Sequence, residues 1–214
     1  MNKSYSCLVV FLVLLQNIVY GQQNKSAWYQ FKKLSKPEKC WVISHPFVAR
    51  KALHFTQIAR KQTDSIQHNP MLDGDANGGG VDAFRHAFWM ALLTQNIGWR
   101  KAYRLGKAHE KGNYLDYKKH RMEDGSLPDK AAGDMDIWNN NAGINISRNY
   151  CGISADSLKS IVIAYILQGK MKVIRKNSKG EFLDIRFQLI PPDSLTGKWD
   201  NLKVLDNSNY RIEK

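Results

Sequence analysis

The chain has 214 residues, with 32 Lys and Arg against 19 Asp and Glu, for a formal net charge of +13 at neutral pH. That length is comfortable for one domain with a sizeable core. Its basic balance favours anionic surroundings such as phospholipid headgroups, wall polymers or nucleic acid. The basic residues are scattered and lack the aromatic interleaving of a nucleic-acid module, and no C-x-x-C spacing occurs, which excludes a zinc ribbon or a redox pair.

The N-terminus carries Lys3, then an apolar run from Cys7 to Leu15 closed by Gln16 and Asn17, then Val19-Tyr20-Gly21. This is the charged, apolar and cleavage-site order of a secretory signal. The run is well short of the ~20 residues a membrane-spanning helix needs. Residues 1–21 therefore read as a signal peptide, and residues 22–214 as a single exported domain, periplasmic or extracellular. No transmembrane segment is expected after cleavage. The signal removes one charge, Lys3, so 31 basic and 19 acidic residues remain, a balance of +12. Two cysteines also remain, Cys40 and Cys151. They form either one disulfide closing a long loop or two buried thiols.

The mature chain begins with a polar stretch to Pro37 that carries Trp28, Tyr29 and Phe31, a short helix or arm. Ser44 before His45-Pro46 reads as an N-cap. Val48, Ala52, Phe55 and Ala59 follow at helical spacing, predicting a helix over 45–66. Residues 73–80, Asp-Gly-Asp-Ala-Asn-Gly-Gly-Gly, must form a loop. They begin like a calcium-binding loop, but Phe84 stands where the twelfth-position Glu belongs. Helices are predicted over 82–97, 99–111 and 131–146, with a polar stretch over 112–130 and a further helix from Ala155 to Gln168. Met171–Arg175 and Phe182–Ile190 alternate about Asn177-Ser178-Lys179-Gly180, a hairpin signal. Pro191-Pro192 opens an irregular tail. The expected fold is mainly α, a compact multi-helix domain with a motif core over 73–146 and a short C-terminal β-hairpin over 171–190.

Three consecutive segments carry polar residues on apolar-faced helices. In 82–97 the stripe Phe84, Ala87, Phe88, Ala91 and Leu92 is the core face, and Asp82, His86 and Trp89 gather opposite with Arg85 at the edge. A helix of that kind is sandwiched between elements. In 99–111 the positions Ala102, Leu105, Gly106 and His109 share a face, which buries His109 beside Glu110. A buried imidazole needs a partner. In the third segment Asp136, Asn139, Asn140 and Gly143 share a face, with Asp134 as the expected N-cap. Asp and Asn are weak helix formers, and Gly143 clears space for a close approach.

The strings Asp-Ala-Phe-Arg-His-Ala-Phe-Trp (82–89), Ala-His-Glu (108–110) and Met-Asp-Ile-Trp-Asn-Asn-Asn-Ala-Gly (135–143) resemble an uncharacterised bacterial domain of unknown function. That domain is met alone and at the C-terminal ends of Rhs/YD-repeat and wall-associated proteins, where toxin domains sit. The resemblance covers about residues 75–146 and implies an important site without implying its chemistry. Trp138 departs from the pattern, which has a polar residue there, often His.

His86, His109 and Asp136 are good metal ligands from three segments, and two imidazoles with a carboxylate suit zinc or manganese with an open position. Glu110 is then the expected proton acceptor, Asn139 and Asn140 would orient substrate oxygens, and Arg85 would pair with a phosphate. Asp82 and Asp134 complete the candidate site. The order of ligands resembles that of HD phosphohydrolases, and Arg-His-Ala-Phe resembles the Arg-His-Asp-Phe of secreted bacterial phospholipases A2. The expected function is a metal-dependent hydrolase acting on phosphoester or other anionic envelope substrates. One alternative is an envelope-binding protein whose polar cluster is a structural network. Another is a toxin-like nuclease or phospholipase.

Overall fold

The structure, a computed structural model, describes residues 21–122 and 126–210. The expected signal segment, 1–21, lies outside the described residues apart from Gly21. Helices α1 (Gly21–Lys33), α2 (Lys36–Ser44) and α3 (Pro46–Ile66) lead through the glycine loop to α4 (Gly80–Ile97). Then come α5 (Trp99–Lys118), α6 (Lys130–Asn149) and α7 (Ala155–Leu167). Strand β1 (Lys172–Ile174), the short α8 (Pro192–Leu195) and β2 (Leu205–Asn207) finish the chain. The mainly α architecture matches the pattern of the sequence. No helix among the described residues is long and apolar enough to cross a membrane.

Helix α4 is the centre. It packs on α3, α5, α6 and α7 and touches β1, so nearly every side chain on it is buried, including Phe84, Phe88, Met90 and Leu93. Each such side chain contributes about 1.5–3 kcal/mol when removed from water. Its second face is buried as well. Trp89 is one-tenth exposed and donates its Nε1–H to Thr56 Oγ1 at 2.9 Å. A helix enclosed on all sides is what a helix with an apolar and a polar face requires.

Several boundaries differ from expectation, each for a local reason. Ser44 closes α2, and its hydroxyl donates to the Trp41 carbonyl at 3.0 Å; His45 holds the N-cap position of α3. Asp134 lies inside α6, whose N-cap is Asp129, accepting from Ala132 N–H at 3.0 Å. Helix α5 runs seven residues beyond the predicted end, because tertiary packing overrides a polar sequence. There Tyr114 and Tyr117 pack on Trp199, and Tyr117 Oη accepts from the Trp199 N–H at 2.9 Å.

The turn over 177–180 forms as the alternation predicts, with bridges Lys176–Phe182 and Leu183–Leu189. The two-stranded ladder, however, joins β1 to β2 antiparallel, with Val173 opposite Asp206. The tail after Pro191-Pro192 therefore returns to the core through α8 and β2. The arm over 22–37 is helical for most of its length. Cys40 and Cys151 are free, exposed thiols, which removes both the disulfide and the buried alternative.

Candidate metal centre

Asp82 lies in the first turn of α4, and its position follows from the loop before it. Asp82 Oδ2 accepts the Gly78 N–H at 2.7 Å, while its own N–H donates to the Asp75 carbonyl. Its other oxygen turns toward His86, one helical turn on. Asp136 approaches from α6. His86 Nε2 stands 3.5 Å from Asp82 Oδ1 and 3.2 Å from Asp136 Oδ1. All three side chains are buried, and one ligand atom of each lies within 4.8 Å of the others. Ligands of a tetrahedral ion at 2.0–2.1 Å stand about 3.3 Å apart, close to both observed distances.

The electrostatics suit a ligand. Burial holds the His86 imidazole well below its ordinary value, and the charges of Arg85 and His109 push it the same way, against a weaker opposite pull from Asn140. The ring is therefore neutral near pH 7, with one nitrogen lone pair. Two carboxylate oxygens and a guanidinium meet its Nε2, since Arg85 Nη2 lies 3.3 Å from that atom and 2.7 Å from Asp82 Oδ1. One ring nitrogen cannot satisfy both oxygens by hydrogen bonding. A cation bound between them can; the Arg85 guanidinium, about one-third exposed, bridges Asp82 Oδ1 and His86 Nε2.

A pocket of about 50 Å³ reaches the two carboxylates of the trio, with His86 behind them. Asp82, Arg85 and Asp136 line it from the motif helices, and Asn77, Asp129 and Lys203 line it from elsewhere. Lys203 pairs with Asp129 and lies over the Phe182 ring.

The remaining expected residues occupy other positions. His109 stands beside the trio rather than within it. Its ring centroid is 6.3 Å from that of His86, its Nδ1–H donates to Glu38 Oε1 at 3.1 Å, and it is about a quarter exposed. Glu110, the next residue, is the one turned inward. It accepts from Asn140 Nδ2 at 3.2 Å and from Asn113 Nδ2 at 3.3 Å, so it positions two carboxamides, one of which lines the pocket. Asn139 is fully buried, and both ends of its amide bond the backbone of Lys172 at 2.9 Å. It clamps β1 to α6 from a position closed to solvent. Asp134 is exposed and pairs with Lys130 one turn back, away from the site.

The Asp-x-Asp-x-Asn-Gly loop is occupied by its own chain. Asp73 accepts the N–H groups of Asp75 and Gly80, and Asp75 accepts that of Asn77. The Lys176 ammonium bonds both Asp75 Oδ2 and the Asn77 carbonyl. Sequence reasoning overlooked Glu38, Asn113 and Lys203. Ser35-x-x-Glu38 was a legible capping box, and the structure forms it. Asn113 was legible three residues after Glu110. Nothing in the sequence marks Lys203.

Residues 39–173 match a family described as a domain of unknown function (DUF6973). Neither the curated proteins nor the solved structures yield a match to the chain.

Proposed function

The chain belongs to the family of the domain of unknown function DUF6973, and from that premise we propose that it is a metal-dependent hydrolase acting on phosphoester or related anionic substrates. The observation that carries this reading is the buried Asp82–His86–Asp136 group, two of whose members, Asp82 and Asp136, line a pocket. Two carboxylates and a neutral imidazole suit zinc or manganese and leave a position open to solvent. Asp82, His86 and Asp136 would hold such an ion, which would supply Lewis-acid activation of a water and of a substrate oxygen. Arg85 then pairs with the substrate's negative charge, and Glu110 acts as a positioning residue through Asn113 and Asn140. In the net reaction a water oxygen bonds the phosphorus, the ester P–O bond breaks, and the proton ends on the departing oxygen.

Elemental analysis of purified residues 22–214, reconstituted with zinc or manganese, tests the reading. Near-stoichiometric metal is expected. His86→Ala and Asp136→Ala should weaken binding by more than about 100-fold, the upper range for mere supporting residues. His109→Ala should keep its metal. No metal in the reconstituted wild type sinks the proposal.

A second reading is favoured by the Arg85 ion pair, which already neutralises Asp82. In it the cluster is a permanent hydrogen-bonded network in an envelope-binding protein, and Asp136→Ala lowers stability without costing any activity. Export belongs to the proposal too, on the order of charge, apolar run and small residues in 1–21. A mature N-terminus other than one near Gln22, found by mass spectrometry of the expressed protein, would remove that part.

A further inference from the structure

We infer that the pocket takes the terminal tetrahedral oxyanion of a phosphomonoester, held between Arg85 and Lys203, and only when the ion is in place. This rests on the metal reading above and adds the substrate class and a residue outside the family-matched stretch. Size is the first argument. A pocket of about 50 Å³ has room for roughly four water-sized groups, since each ordered water needs about 10–15 Å³. That is the complement of oxygens on one phosphate, to which the second ester group of a diester adds carbon atoms.

Charge is the second argument. Asp82, Asp129 and Asp136 line the pocket against Arg85 and Lys203, three acidic side chains against two basic ones, a formal balance of minus one. An anion is repelled from that balance. A divalent ion reverses it to plus one, and in doing so competes with the Arg85 guanidinium for Asp82 Oδ1 and His86 Nε2. Arg85, about one-third exposed, is then displaced toward the pocket mouth with its planar donors available to a phosphate.

Lys203 supplies the opposite wall. Its ammonium has three donors, of which Asp129 takes one, and its Nζ lies over the Phe182 ring, 4.0 Å from the centroid. Asp129 is itself fixed by capping α6. Lys203 is thus held in the pocket lining by its ion pair with Asp129 and its contact with Phe182.

Phosphate binding to residues 22–214 by titration calorimetry tests the inference, with metal content measured on the same samples. Metal-loaded protein should bind inorganic phosphate and methyl phosphate, and dimethyl phosphate at least about tenfold more weakly; metal-free protein should bind none of them. Lys203→Met should weaken phosphate binding by about tenfold or more, the size of one charge-assisted hydrogen bond, at unchanged metal content. Lys203→Arg should retain it, which separates loss of charge from loss of fold. Equal binding by metal-free protein, equal binding of the diester, or a Lys203→Met variant matching wild type would each overturn the inference. If metal binds and phosphate does not, the hydrolase reading survives and this inference fails. If no metal binds, the hydrolase reading fails first.

Discussion

Gly143 of α6 lies directly against the backbone of Ala87 in α4: a β-carbon on Gly143 would come within 2.0 Å of the Ala87 carbonyl oxygen. The contact sets the separation of the two helices beside His86, and with it the distance from His86 to Asp136. Gly143→Ala gains up to about 1 kcal/mol of helix propensity. It loses more, because backbone cannot yield as a side chain can, and overpacking costs about 1–3 kcal/mol or more. The expected result is a lowered melting temperature together with weakened metal binding. A melting temperature equal to or above that of wild type would show that the helices tolerate a methyl group there.

Asn139 replaces a neighbouring strand for Lys172, accepting its N–H and donating to its carbonyl. Asn139→Ala leaves both groups unpaired at a cost of about 1–3 kcal/mol each. The variant should be destabilised, and the Lys172 amide should exchange with solvent faster than in wild type. Unchanged exchange would mean that β2 and the Gly78 carbonyl, which accepts the Ile174 N–H, hold β1 without Asn139.

Glu38 gives stability a dependence on pH. Burial pushes its carboxyl up, but the hydrogen bond and charge of His109, with the Ser35 contacts, carry it below its ordinary value. A carboxyl lowered in the folded state adds stability that is fully present above its unfolded value of about 4.3 and is lost as pH falls through the folded value. Glu38→Gln should therefore shift the urea midpoint downward above about pH 5, and the gap to wild type should close toward about pH 3. A gap that stays constant across that range would contradict the His109 pairing.

Helical periodicity was enough to group His86 with Asp82, opposite the apolar stripe of α4, and Asp136 with Asn139 and Asn140 on one face of α6; that these faces are buried follows from the helices packed against them. It could not settle α5. After Gly106 the apolar face can continue to residue 109 or 110, three or four positions on, and the choice belongs to what faces it. Asn140 across the interface draws in Glu110, leaving His109 to Glu38 at the edge. Asp82 was legible as a helix-start carboxylate, but its orientation depends on Gly78, in a loop with no periodicity. The partner of β1 was harder still. The nearest alternating segment is the natural candidate, and only the return of a chain more than thirty residues away supplies β2 instead.

The Lys176 ammonium rests on Asp75 and Asn77, in a loop whose spelling elsewhere takes its cation from solution. A cation tethered to the chain cannot be chelated, diluted or exchanged for another. The loop that aims Asp82 is therefore indifferent to which divalent ions its medium holds. That indifference depends on covalent continuity: a protease cut between β1 and Lys176 would turn an internal counter-ion into a detachable one, and the shape of the loop would come to depend on whether the severed tail stayed bound.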